Sequence, residues 1–391
     1  MIPMIKRGLL LIILTISCSS NNNDTIPEND SETEITDPNT PVVPSKNTVS
    51  GFEFIDEFII PNQEIGSEQV GGLSGIDYQN GKWYIICDTS TPPIRFYEAN
   101  ISYNNEFTTV DIHTMIEMKD VAGSSLPQGV VDPEAIRFDP VTKNIVYTSE
   151  GSINNSVDPA VVEINGNGNE IKKFSLPDNF KANTIDDTSG PRHNGVLEGL
   201  SLAVDNSGYW VSLELPLIED GPEPIITDTQ SPVRVTFINK TTNTAERQFA
   251  YELDPVAREP ALGTTFMVNG LVEILEYDTN KFLALERSFS SGYIDGGNTV
   301  KIYNVDASEA TNTISKESLN GNDYTAATKT LLFNFETIRG KLTANTVDNI
   351  EGITFGPNLD DGSRTVVVIS DNNFNSFFPQ YNQLIALKVV P

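Results

Sequence analysis

The sequence is poor in the residues that form covalent cross-links and zinc sites. Its 391 residues include two cysteines and two histidines. Cys18 follows the N-terminal apolar segment, so Cys87 would be the single cysteine of the folded body. This composition excludes a disulfide scaffold and a Cys/His zinc site with ordinary ligand spacing. A body of roughly 340 residues must therefore gain its stability from burial.

Long hydrophobic runs are also missing. The apolar stretch Leu9–Ile16 follows Lys6 and Arg7 and is too short to cross a bilayer, which is typical of a secretory signal peptide at residues 1–17. The segment TISC ending at Cys18 resembles a bacterial lipobox, whose cysteine is acylated and becomes the mature N-terminus. We expect an exported protein anchored by lipid to a bacterial outer membrane, on either face. An ordinary cleaved signal with a chance cysteine is the alternative.

Residues 18–50 are polar and acidic, contain proline and offer little to bury. Such a composition cannot offset chain entropy, so it predicts a flexible tether. The folded body is expected to be residues 51–391.

Positive charge is scarce. Lysine and arginine number 25 against 54 acidic residues, giving a formal charge of −29. This surface repels nucleic acid and anionic lipid headgroups and favours divalent cations. We therefore expect no nucleic-acid partner, membrane contact through the N-terminal lipid alone, and a monomer.

The sequence does contain a fivefold internal repeat. Each copy is an acidic or small residue, an apolar strand, a turn, a second apolar strand and an acid. The copies are residues 73–88, 133–150, 197–214, 272–286 and 350–371. Their turns carry Asn, Asp or Gly, which accept the positive φ angles of tight hairpins.

Further strand-like runs between the copies bring each repeat to about four strands, which predicts an all-β protein, a β-propeller with five four-stranded blades. The strand at residues 52–60 precedes the first repeat, and we expect it to complete the last blade and close the ring. The alternative is six blades, with a degenerate blade in residues 306–329.

The repeat places acids at both ends of its hairpin. In a propeller, a residue that opens the first strand and one that ends the second lie at the same end of the channel. Ser74 takes the opening place in the first copy. The nine acids predicted at one channel mouth are Asp88, Glu134, Glu150, Glu198, Glu214, Glu273, Glu286, Glu351 and Asp371.

Like charges this close repel unless they are protonated or neutralised. Converging oxygen ligands suit Ca²⁺, so Ca²⁺ is the expected cofactor and the nine acids are its candidate ligands. Acids at such positions also cap backbone N–H groups in turns, which is the alternative for each opening residue.

Cations also lie near this mouth. Arg287 follows Glu286, Arg95 begins a strand of the first blade, and His193 lies in the loop before Leu197. A guanidinium can bind a phosphate or pair with a carboxylate. We assign catalysis to Glu214, Glu286, Arg287 and Asp371. Substrate contacts are assigned to Arg95, His193, Asn372 and Asn373.

Four of these segments carry a family resemblance. Leu285–Arg287, Ser370–Phe374, and Glu198–Leu200 together with Leu213-Glu214 resemble the phytase-like family, named for an esterase-like activity of phytase. The resemblance extends over about residues 65–390. It implies an exported propeller acting on a phosphoester or carboxylester. By analogy with calcium-dependent propeller phytases, it also implies a metal centre at the channel mouth.

Two functions follow as hypotheses. The first is a Ca²⁺-dependent hydrolase of small phosphoesters or related esters, with a ring carboxylate as base. A lactonase-like activity differs from it mainly in substrate. The second is a non-catalytic module that binds a ligand or glycan, in which the acids and calcium stabilise the ring. No nucleophile elbow, Walker loop or dinucleotide fingerprint accompanies them.

Overall fold

The computed structural model describes residues 48–185, 188–321, 323–375 and 379–391. The expected signal peptide, Cys18 and nearly all of the expected tether lie outside these ranges. No helix in the described part of the chain is long and apolar enough to span a bilayer.

Five four-stranded antiparallel sheets form the body, as the repeat predicts. Three strands precede the first blade: β1 (Gly51–Ile60), β2 (Glu64–Ile65) and β3 (Glu68–Gln69). Blade one contains β4 (Gly75–Gln79), β5 (Lys82–Ile86), β6 (Arg95–Tyr103) and β7 (Phe107–Glu117). Blade two contains β8 (Pro133–Phe138), β9 (Ile145–Ser149), β10 (Ala160–Ile164) and β11 (Glu170–Lys173).

Blade three contains β12 (Leu197–Leu202), β13 (Gly208–Leu213), β14 (Pro232–Asn239) and β15 (Thr244–Glu252). Blade four contains β16 (Met267–Asp278), β17 (Lys281–Ser290), β18 (Asn298–Asp306) and β19 (Thr328–Asn334). Blade five contains β20 (Asn349–Phe355), β21 (Thr365–Asp371) and β22 (Asn382–Val390). Helical structure in the described ranges is limited to short 3₁₀ turns at Ile153–Asn155, Asp178–Phe180, Phe335–Thr337, Arg339–Lys341 and Thr343–Asn345.

The N-terminal strand closes the ring. β1 pairs antiparallel with β22 from Gly51 opposite Val390 to Ile60 opposite Asn382, and so becomes the fourth strand of blade five. The closure predicted from residues 52–60 is confirmed. It ties the beginning of the body to its end and leaves no unpaired edge on β22.

The alternative of a degenerate sixth blade in residues 306–329 is not supported by the structure. Between β18 and β19 the described residues, 307–321 and 323–327, contain no strand. The segment packs instead along β15 of blade three, where Thr313 N donates to Gln248 O (2.8 Å) and Ala327 N to Ala250 O (2.9 Å). The structure therefore has five blades.

The apolar core lies between the blades. One buried cluster spans blades two, three and four, and three others join blades four and five, five and one, and one and two. Trp210 of blade three, for example, packs against Phe282 of blade four with ring centroids 5.2 Å apart. Burial thus holds each blade to its neighbours and places the five inner strands around one channel.

A buried ion pair fills the channel. Arg137 Nη2 lies 2.7 Å from Glu273 Oε2, and both side chains are almost fully buried. The guanidinium donates to the carbonyls of Ile76 and Ile353, while Glu273 Oε1 accepts from Leu200 N. These residues belong to all five blades. The pair therefore links every inner strand below the mouth.

Candidate active site

Strand register decides which side chains reach the channel mouth. In blade three, Leu197 pairs with Leu213. The residues that follow these two in the sequence, Glu198 and Glu214, lie at the mouth. Glu198 occupies a bulge in the register. The equivalent positions in blades one, two and five are Ser74 and Asp88, Glu134 and Glu150, and Glu351 and Asp371.

Blade four departs from this pattern by one residue. Leu271, not Val272, pairs with Glu286, so Val272 and Arg287 take the two ring positions. Because a shift of one residue turns a side chain to the other face of a sheet, Glu273 and Glu286 are carried away from the ring. The expectation of nine acids is thus corrected to seven acids and one arginine, which we call the mouth ring.

Glu286 lies within a separate network. Its carboxylate accepts from Tyr251 (2.5 Å) and Asn269 (2.9 Å) and pairs with Lys329 (2.6 Å). It is buried and fully partnered, so the structure gives it no contact with the mouth pocket. Glu273 is the channel acid described above.

Six of the seven ring acids and Arg287 line an open pocket of about 370 Å³, whereas Asp371 is buried and is not part of its lining. Two groups of acids converge in it, Asp88 with Asp132 and Glu134, and Glu134 with Glu150 and Glu198. Within each group, the candidate ligand oxygens lie within 4.8 Å of one another. Glu134 belongs to both groups and is therefore the centre of the acidic side.

Asp132 is an acid of this pocket that was not predicted from the sequence. It lies just before β8, two positions ahead of Glu134, and lines the same pocket. A signal was available, since Asp-Pro-Glu places two acids on consecutive same-side positions of an extended segment. The repeat concealed it, because no other copy carries an acid at that place.

Burial and mutual repulsion make the ring acids weak acids. Loss of hydration, reinforced by neighbouring carboxylates, raises the pKa values of Asp88, Glu134, Glu198 and Asp371 well above their ordinary range. Burial likewise raises the pKa of Glu150 to about 8, although Val196 N donates to it. Such a site gains free energy from any cation that replaces the missing countercharge.

Arg287 supplies one positive charge. Its Nη2 lies 3.2 Å from Glu214 Oε1 and 3.3 Å from Glu351 Oε1. Burial raises the pKa of Glu214 to about 7, although Arg287 opposes the shift. Arg287 Nε has no hydrogen-bond partner among the described residues. The guanidinium thus keeps hydrogen-bonding capacity that the protein does not use.

The residues expected to contact substrate separate into two groups. Asn373 lines the pocket. The exposed His193 lies near Asp132, whose pKa is raised by burial, while the hydrogen bond with Asp88 and the nearby His193 oppose the shift. Arg95 is buried away from the pocket, bound to Tyr97 Oη, Pro93 O and Gln69 O. Asn372 accepts from Gly72 N and so joins blades five and one. The side chains of Arg95 and Asn372 therefore stabilise loops.

The donor set fits Ca²⁺. Hard carboxylate oxygens from several strands surround one open space, and Ca²⁺ accepts six to eight such oxygens in flexible geometry. The acids available in the two converging groups are Asp88, Asp132, Glu134, Glu150 and Glu198.

The chain is distantly similar to several solved structures. The catalytic domain of a Coprinopsis cinerea GH62 α-L-arabinofuranosidase is 10% identical, with 88% of this chain and 98% of that chain covered and a TM-score of 0.42. A xylan β-1,4-xylosidase from Bacillus halodurans C-125 is 10% identical, with 88% and 53% covered and a TM-score of 0.45. The Dos1 propeller is 9% identical, with 81% and 68% covered and a TM-score of 0.32. Similarities this low carry no functional information.

No curated protein matches the chain. A family model described as phytase-like, esterase-like activity of phytase, matches residues 68–374. The match covers well over half of the sequence and includes the whole mouth ring. The chain therefore belongs to the phytase-like family.

Proposed function

We propose that this propeller is a Ca²⁺-dependent hydrolase of phosphoesters or related esters that acts at the mouth ring. One observation carries the proposal: six of the seven ring carboxylates, together with Asp132, line an open pocket whose described lining contains a single lysine or arginine, Arg287. An anionic substrate would be repelled from such a pocket unless a divalent cation first neutralised it.

The two converging acid groups are the proposed ligands, with Glu134 shared between them. Bound Ca²⁺ would supply a Lewis acid for a substrate oxygen and for water. Asp371 and Glu351 lie on the neighbouring blade five, where burial raises the pKa of both carboxyls. A bound cation would favour their ionised form.

Glu214 and Arg287 are the proposed catalytic side chains. Glu214 lines the pocket between the acid groups and Arg287, a position from which its carboxylate can accept a proton from water. Arg287 holds Glu214 in place and donates to negative charge that develops on the substrate. Arg95, Glu286 and Asn372 take no part, since each is committed to contacts elsewhere.

The test combines metal binding with turnover. We expect the protein to hydrolyse 4-nitrophenyl phosphate or 4-nitrophenyl acetate, to lose that activity in EDTA and to regain it with Ca²⁺. Calorimetry should show that Glu134→Gln weakens Ca²⁺ binding at least tenfold, while the exposed Glu64→Gln leaves it unchanged. Hydrolysis that is indifferent to EDTA would remove calcium from the proposal. Calcium binding without turnover of either ester would favour a binding module.

We also propose that the chain is exported and anchored through Cys18, because the TISC segment follows a short apolar run. Cys18 lies outside the described residues. Expression in a Gram-negative host should place the protein in the membrane fraction, and Cys18→Ala should release it. Retention of the Cys18→Ala protein on membranes would contradict lipidation at this residue.

A further inference from the structure

Blade four rises above the channel mouth. Its inner strand β16 begins at Met267, ahead of the ring position Val272, and β17 continues past Arg287 to Ser290. In blade three, by contrast, β12 begins at Leu197 and β13 ends at Leu213, so both stop at the level of the ring. The extension forms a wall on one side of the pocket.

The pocket face of this wall is apolar. Val268 and Phe289 pair across β16 and β17, and both line the pocket together with Phe266. The Phe266 ring packs on Phe289 with centroids 5.9 Å apart, yet 62% of Phe266 remains exposed. We call Phe266, Val268 and Phe289 the blade-four wall. An exposed aromatic ring beside an acidic pocket indicates a binding surface.

Hydrogen bonds hold the wall in position. Ser291 N donates to Phe266 O (3.0 Å), and Ala261 N donates to Ser291 O (2.9 Å), which joins the loop before β16 to the loop after β17. Those two loops also carry the fully exposed side chains of Leu262 and Ile294. The two loops beside the wall thus expose further apolar side chains.

Unused polar groups lie at the foot of the wall. The side chain of Asn298 lines the pocket, is 1% exposed, and its Oδ1 has no hydrogen-bond partner among the described residues. Asn298 pairs with Phe289 across β17 and β18, so it adjoins the wall directly. With the unpartnered Arg287 Nε, it leaves an acceptor and a donor available next to an apolar face. Buried polar groups normally find partners.

The charge distribution limits the substrate further. A polyphosphate carries several negative groups, each of which needs a cation or a donor, whereas the described pocket lining has one guanidinium among many carboxylates. A single bound Ca²⁺ would serve one phosphoryl or ester group. The blade-four wall would then contact the part of the substrate that is attached to this phosphoryl or ester group.

We propose that the substrate presents one ester or phosphoester group to the mouth ring and packs an aromatic or bulky apolar group on the blade-four wall, so that polyphosphates are poor ligands. This inference rests on the proposed function for the position of the reacting group. The wall itself is an independent observation.

The experiment compares 2-(1-naphthyl)ethyl phosphate with ethyl phosphate, whose leaving alcohols have similar acidity, and the corresponding acetates if phosphates are not turned over. We expect kcat/KM to favour the naphthyl ester. Phe266→Ala should reduce this preference about tenfold, as expected for loss of one apolar contact in a specificity pocket. Leu331→Ala removes an exposed side chain from the outer strand β19 and should leave the preference unchanged.

A second measurement does not depend on turnover. With Ca²⁺ present, 2-(1-naphthyl)ethylphosphonate should bind the wild-type protein more tightly than ethylphosphonate or inositol hexakisphosphate, and Phe266→Ala should remove most of that advantage. If nothing is hydrolysed but this pattern appears, the proposed hydrolase function fails, whereas the inferred binding of an apolar group at the blade-four wall stands. If hydrolysis occurs without a naphthyl preference, or the hexakisphosphate binds most tightly, the inference is overturned. Melting temperatures check that each variant folds.

Discussion

At the scale of single residues, Gly270 sets the position of Glu214. A Cβ built on Gly270 would lie 2.4 Å from Glu214 Cγ and 2.5 Å from Oε1, too close for any real contact. Gly270 faces Arg287 across β16 and β17. The absence of a side chain there allows Glu214 to reach the guanidinium.

We expect Gly270→Ala to displace the Glu214 carboxylate and lower kcat at least tenfold, with KM changed less, because a displacement of about 1 Å in a catalytic group has effects of this size. Glu214 can rotate away, so the fold should survive with a small loss of melting temperature. Gly340→Ala is the control, since a Cβ there meets nothing within 4 Å. Unchanged kcat in Gly270→Ala would show that Glu214 has no catalytic role.

The sequence indicated most of the mouth ring at this scale. Glu198, Glu214, Glu351 and Asp371 are found where strand ends in the repeat place them. The Phe266 surface could not be found in this way, because an isolated aromatic residue before a strand carries no pattern. Phe266 can be recognised as part of a surface only from its contact with Phe289 on β17, which is distant from it in the sequence.

At the scale of elements, blade four shows how far an apolar pattern can specify register. The run Leu271-Val272-Glu273-Ile274 can begin its alternation at either of its first two residues, and the repeat favoured Val272. The structure instead pairs Leu271 with Glu286 and has a register shift between Leu271 and Glu273. Blade three has the same kind of shift between Leu197 and Gly199, so the bulge is shared, and what differs in blade four is the position of the acids, by one residue, relative to it.

The closing strand gives a prediction at this same scale. β1 supplies the outer edge of blade five and buries Phe52 and Ile60 against the body. A protein starting at residue 48 should unfold at the same denaturant concentration as the full chain. A protein starting at residue 61 should expose β22 and aggregate or lose most of its stability. Equal stability of the two truncations, measured by urea unfolding, would show that β1 does not close the ring.

At the scale of the whole molecule, the buried pair of Arg137 and Glu273 in the channel connects the five blades. Arg137 and Glu273 contact inner strands of all five blades below the mouth. Burial raises the pKa of Glu273 to about 7, against an ordinary value of 4.5, even though Arg137 opposes the shift. Between these two values the native protein holds a proton that the unfolded chain has released.

The sign of the pH dependence follows from this difference. A native state that binds more protons than the unfolded state loses stability as pH rises, so the contribution of Glu273 is present below about pH 4.5 and is lost as pH rises through about 7. A shift of this size corresponds to about 3 kcal/mol of unfolding free energy. Glutamine at residue 273 resembles the protonated acid and removes the titration.

We therefore expect wild type and Glu273→Gln to have similar unfolding free energies at pH 5, and the variant to be more stable by up to about 3 kcal/mol at pH 8. Urea unfolding in saturating Ca²⁺ would measure this while keeping the mouth acids from contributing. The exposed Glu64→Gln should follow wild type at both pH values. Parallel pH profiles for wild type and Glu273→Gln would mean that Glu273 is ionised throughout. The channel would then be held by a permanent ion pair, and removing one partner should instead destabilise the protein at every pH.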